Sequence, residues 1–217
     1  MINLMKNHRL PGLAGGVLAG MLWMSSLSGC APLVLGTAMS GAFVATDRRT
    51  SGAQLEDQGI EFKATNRVLG AVGSAGHVSV TSYNRVVLIT GEVSTEAEKQ
   101  AAEQAVASTE NVRSVVNELA LLGTASLSSR ANDALIQSKV KLTFVNAREM
   151  QSNAFKVVVE RGEVYLMGMV TEREANRAAE LAASVSGVQK VIKVLHIISE
   201  DELAQKMPSA PASSPAR

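Results

Sequence analysis

Apart from His8 near the start, the residues of this chain whose types could do chemistry are few: His77 and His196, one cysteine at position 30, and scattered carboxylates. Hydrolysis or group transfer needs groups that converge, such as a nucleophile with its base, paired carboxylates or a metal cage. His77 and His196 each fall in or beside a predicted strand and lie far apart in sequence, which fits two satisfied structural histidines. Glu96, Glu98, Glu103, Glu172, Glu174 and Glu180 fall on predicted helices, where acidic groups in the first turn favour the helix dipole and later ones face solvent. Gly91 and Gly168 are single glycines at strand ends, and a phosphate-cradling loop needs several glycines opening a helix. The pattern predicts a protein that is not an enzyme and holds neither a metal nor a cofactor.

Composition narrows the partners. The 217 residues are 46% hydrophobic, ample for burying cores, and 21 basic residues against 20 acidic ones leave a formal charge of +1. Only 3% are aromatic, so the stacking platforms that hold nucleic-acid bases are missing, and no nucleic-acid partner is expected.

A single cysteine forms no internal disulfide and no cysteine metal cluster, so its position decides its meaning. Lys6, His8 and Arg9 make a basic start, Leu10 to Leu27 is apolar and rich in small residues, and Leu27-Ser28-Gly29-Cys30 follows. This resembles a lipobox. The resemblance implies lipidation at Cys30, removal of residues 1–29, and anchoring by acyl chains at roughly 0.8 kcal/mol per buried methylene. Ala31 after the cysteine, rather than Asp, resembles an outer-membrane sorting signal and implies a periplasm-facing, lipid-anchored protein. The other reading, an uncleaved membrane anchor, meets a run that is short against the ~20 residues of a span and broken by Gly12, Gly15, Gly16 and Gly20.

Behind the leader lies an internal repeat. Val86 to Val93 (VVLITGEV) and Glu163 to Val170 (EVYLMGMV) place their glycines 77 positions apart, and Ala101-Ala102-Glu103 returns as Ala178-Ala179-Glu180. Each copy reads helix, strand, strand, helix, strand. Thr95 with Glu98, and Thr171 with Glu174, have capping-box spacing and open alanine-rich helices. The expected fold class is α+β, two tandem αββαβ modules, each a small mixed three-stranded sheet packed against two helices. The expected boundaries are a lipidated N-terminus and flexible tether over 30–56, modules over 57–122 and 131–199, a linker over 123–130, and a disordered tail over 200–217.

A strand ending in Leu-x-Gly-x-Val, a Thr/Glu-capped alanine-rich helix and a following x-Val-x-x-Val strand resemble the BON domain. Two such modules behind a lipobox resemble the dual-BON outer-membrane lipoproteins. The likeness covers residues near 57 to 199 and is most specific over Val164 to Val191. It implies phospholipid binding or membrane attachment, with roles in outer-membrane integrity and at the division site.

The repeat also serves as an internal control. Setting Ile60 against Ile136 aligns the core faces of the two first helices, Ile60, Ala64 and Val68 with Ile136, Val140 and Phe144. On the flank the first copy has Gly59 and Asn66 where the second has Leu135 and Leu142, with Lys139 and Lys141 nearby. Leucines that enter the acyl boundary beside ammonium groups that meet anionic headgroups are what an interfacial helix needs. The expected phospholipid-binding residues are Leu135, Ile136, Lys139, Lys141 and Leu142. The same leucines could instead bury against the first module. A scaffold holding another envelope protein, for example part of the outer-membrane assembly machinery, is the competing function.

Overall fold

The computed structural model describes residues 47–73 and 77–206; Cys30 and the whole lipobox lie outside the described residues, as do residues 207–217. The first module begins with helix α1 (Ser51–Val72), opened by Thr50, whose hydroxyl accepts the Ala53 amide, and closed at Gly73 with φ 72°. Its inward stripe is Asp57, Ile60, Ala64, Val68 and Val72, spaced at three and four residues. Strands β1 (His77–Tyr83) and β2 (Val86–Val93) pair antiparallel, helix α2 (Glu96–Ala107) crosses over, and β3 (Ser114–Leu121) pairs parallel to β2. The second module repeats this with α3 (Leu127–Asn146), β4 (Phe155–Glu160), β5 (Glu163–Val170), α4 (Glu172–Ala183) and β6 (Lys190–Ile197). A short helix α5 (Glu200–Lys206) follows.

Local chemistry explains the elements. Both expected capping boxes form: the hydroxyls of Thr95 and Thr171 accept the amides of Glu98 and Glu174, whose carboxylates accept the threonine amides in return. The two-residue hairpin turns hold positive φ at both positions, 51° and 66° at Asn84-Arg85, and 54° and 75° at Arg161-Gly162. Three of these four residues are not glycine, and a buried aspartate in each module offsets the strain. Asp57 accepts the amides of Asn84 and Arg85 at 2.7 and 2.8 Å, and Asp133 accepts those of Arg161 and Gly162 at 2.9 and 2.8 Å. Burial pushes the Asp57 carboxyl up, but hydrogen bonds from Ser82, Arg85, Asn84 and Arg49 outweigh it and hold it below the usual carboxylate range.

Each module closes its own core between helices and sheet: Ile60, Val68, Val87, Ile89 and Leu119 in the first, Ile136, Phe144, Val164 and Leu166 in the second. The helix-free faces of the two sheets then pack on each other. Tyr83 and Leu88 meet Tyr165, Met167 and Met169, and Ile198 and Leu203 complete this third cluster. The layers therefore run helix, sheet, sheet, helix, with α1 and α3 in opposite outer layers.

Two expected boundaries change. The tether does not extend to residue 56, because α1 starts at Ser51 and the arginines before it are docked. Arg48 bonds the Glu174 carboxylate and the Met169 carbonyl of the second module, while Arg49 bonds Asp57 of the first and lies 4.0 Å over the Tyr83 ring. Nor does disorder begin at 200, since residues 200–206 form α5 and bury Leu203 in the inter-sheet cluster.

Candidate functional site

Helix α3 carries the expected lipid face. Ser126 caps it by accepting the Ser129 amide, and Ile136, Val140 and Phe144 lock it onto the sheet. Leu135 and Leu142 stand on the outer side, 52% and 59% exposed, so the structure does not seat them against the first module. Lys139 and Lys141 are exposed and have no ion pair among the described residues.

Ile136 is a correction. It is buried with 1% exposure and packs its δ-methyl against Gly187, where φ is 100° and a Cβ would stand 3.0 Å away. It cannot touch a lipid without unfolding the core. The exposed apolar stripe of α3 runs further than Leu135 and Leu142. Ala131, Leu135, Ser138, Leu142 and Val145 alternate at four and three residues, with Val145 66% exposed, and Leu127 is exposed in the first turn. Continuing the spacing of Leu135 and Leu142 by another turn would have found Val145.

The first module is not bare on its matching helix. Leu55, Phe62 and Leu69 are exposed on α1, at positions equivalent to Ala131, Ser138 and Val145. Charge separates the two faces. On α1, Lys63 is paired with Glu110 and Arg67 donates to the Ser108 carbonyl, whereas the lysines of α3 have no such partners. The one acidic residue of α3, Asp133, is buried and committed to the hairpin amides. The exposed face of α3 is therefore apolar and cationic, and that of α1 apolar and close to neutral.

The two histidines stay apart in role. His196 accepts the Asn84 side-chain amide at Nδ1 over 3.1 Å, a contact between the modules, and His77 lines a cleft between β1 and the α3 side of the second module. Gly91 and Gly168 act as close-approach positions. An added Cβ would overlap the His77 carbonyl oxygen at Gly91, where φ is 116°, and would stand 2.5 Å from the Ala154 carbonyl oxygen at Gly168.

Comparison with known proteins agrees with this double architecture. The family model for the BON domain matches twice, over residues 56–123 and 132–199. The chain is 39% identical over 171 residues to the Outer membrane lipoprotein DolP of Haemophilus influenzae, covering 77% of this chain and 88% of that protein. It is 29% identical over 154 residues to a 21 kDa hemolysin of Actinobacillus pleuropneumoniae, covering 70% and 79%. Among solved structures, CdsD of the type III secretion system of Chlamydia trachomatis aligns with 68% of this chain and 98% of its own at 12% identity and a TM-score of 0.28.

Proposed function

The chain belongs to the BON-domain family, with two copies in tandem and a DolP-like arrangement, and from that premise we propose that it is an outer-membrane lipoprotein that binds anionic phospholipid through α3 and supports outer-membrane integrity, including at the division site. Its anchor is the acylated Cys30. The described residues contain no helix long and apolar enough to cross a membrane. The observation that carries the lipid reading is the outer face of α3, where Leu135 and Leu142 are exposed beside Lys139 and Lys141 and the helix itself bears no exposed acid. Fully burying one such leucine in lipid contributes about 1.5 to 3 kcal/mol, and each lysine near an anionic surface about 1 kcal/mol. The sum supports a reversible docking that adds to the lipid anchor.

Liposome flotation tests this. In the chain from Ala31 onward, Leu135→Glu keeps the parent circular dichroism and melting temperature, because the side chain is already half outside, and loses binding to anionic vesicles. A Leu135→Glu protein that folds and floats as the parent does would sink the α3 reading. The near-neutral stripe Leu55, Phe62 and Leu69 on the opposite layer favours a second role, holding an envelope protein such as the outer-membrane assembly machinery. Capture of such a protein from detergent-solubilised envelope that persists in Leu135→Glu and disappears in Phe62→Ser supports that scaffold role.

A further inference from the structure

Between edge strands β1 and β4, under one flank of α3, lies a cleft of about 400 Å³. Ser79, Thr81 and Thr90 line it from the first module, Arg130 and Lys141 from the segment of α3, and Glu160 from the end of β4. The cleft is thus a product of the two modules together.

Its polar groups divide into those with partners and those without. Lys156 is held by Glu61 at 2.6 Å and by the Ser82 carbonyl, and Asp133 is held by the turn amides of Arg161 and Gly162. The Thr90 hydroxyl is buried without a hydrogen-bond partner, in a residue only 1% exposed, and the Arg130 Nε is buried and unpartnered as well. Lys141 makes no ion pair among the described residues. Two cations and a hydroxyl donor therefore line one cleft with no acceptor bound to them. Buried donors of this kind are found with a partner in the great majority of proteins, and several donors on one concavity match an anion with several oxygens.

We propose that this cleft binds a phosphate group through Arg130 and Thr90, with Lys141, three turns further along α3, adding attraction from the other end of the cleft, and, resting on the α3 reading above, that the phosphate is that of a phospholipid headgroup whose chains lie along Leu135 and Leu142. Lys141 and Leu142 are neighbours in sequence. The first lines the cleft and the second stands on the outer face, so one lipid can engage both. Of the two acids in the wall, Asp133 is turned to the hairpin amides, and Glu160 does not oppose this strongly. Burial, with Glu92 and Asp133 nearby, pushes the Glu160 carboxyl up to about 7, against the opposing pull of Arg130 and Arg161. Much of it is uncharged at neutral pH.

The test uses the chain from Ala31 onward, which contains all the described residues, and vesicles of equal phosphatidylglycerol and phosphatidylcholine. Arg130→Gln and Thr90→Val each weaken vesicle binding, by about tenfold for the loss of a hydrogen bond to a charged group. Thr90→Val is the decisive variant, because it removes an unsatisfied buried hydroxyl at nearly constant shape. Without lipid it melts at or above the parent temperature, whereas a merely structural hydroxyl would lower it. Inorganic phosphate alone separates the sources: saturable amide shifts at Ser79 and Thr90 that vanish in Arg130→Gln assign the cleft to phosphate as such, and shifts seen only with vesicles or short-chain lipid assign it to the headgroup. Parent-like vesicle binding by both variants would overturn the cleft proposal. If Leu135→Glu still loses binding in that case, the α3 reading stands without it.

Discussion

The Arg48 guanidinium grips the Glu174 carboxylate with two hydrogen bonds, 2.7 and 2.8 Å, between side chains 4% and 7% exposed. The same carboxylate accepts the Thr171 amide that caps α4. The last residues before α1 are thereby tied to the far module, and Arg49 ties them to the near one. Arg48→Ala leaves a carboxylate buried without its partner and is expected to cost about 3 to 5 kcal/mol. Urea unfolding checks this, and a loss under 1 kcal/mol would show that the strap is dispensable.

Acid should weaken the same strap. Burial pushes the Glu174 carboxyl up, yet the bonds from Arg48 and Thr171 outweigh it and hold it below the usual range, as their counterparts do for Asp57. Such depressed carboxyls contribute stability that is complete above the unfolded value near pH 4 and is lost as pH falls through the folded values. Thermal melts between pH 5 and 2 should fall steadily for the parent. Arg48→Ala should show a shallower fall, and an equal slope would mean that Glu174 contributes nothing to it.

Glu160 has the opposite sign. Its folded value near 7 lies above the unfolded one, so the folded state holds the proton more tightly and stability declines as pH rises from about 4.3 to 7. The group is partly exposed and solvent screens it, so the decline is on the order of 1 kcal/mol. Glu160→Gln should remove this decline and be the more stable protein at pH 8. A variant less stable than the parent there would mean that the charged form is the one the fold favours.

Gly91→Ala and Gly168→Ala should both damage folding, with Gly91→Ala the worse. At Gly91 the new methyl group meets the backbone of β1 and φ is positive, which adds strain of about 1 to 3 kcal/mol to the overlap. Gly59→Ala, on the open side of α1 with nothing near its Cβ, should stabilise by up to about 1 kcal/mol. Comparing the three melting temperatures checks the order.

Ile136→Ala and Leu135→Glu should separate core from surface. The first creates a cavity beneath Gly187 and costs about 2 to 5 kcal/mol, while the molecules that remain folded bind anionic vesicles as the parent does. The second does the reverse. Reduced vesicle affinity of fully folded Ile136→Ala would return that residue to the lipid face.

What the sequence by itself determined was everything set by short-range chemistry. The lipobox resemblance at Leu27 to Cys30, the threonine-glutamate caps, the hairpins and the 77-residue echo of the glycine-bearing strands are all readable, because each needs only residues within a turn or a strand pair. Ile136 is legible as a core residue by its spacing with Val140 and Phe144, and that place in the core excludes it from a lipid face. One larger signal was present too: Val164 to Met167 is a continuous apolar run, the mark of a strand covered on both faces. What covers it is not local. Tertiary structure decided that Tyr165, Met167 and Met169 meet Tyr83 and Leu88 of the other sheet, that Leu203 folds back from the tail to join them, and that Arg48 and Arg49 clasp both modules. The sheet-to-sheet contacts join residues roughly 80 positions apart, and Arg48 reaches Glu174 across 126. Burial of one sheet face requires another surface of matching size, and nothing in the spacing along either strand says which surface that will be.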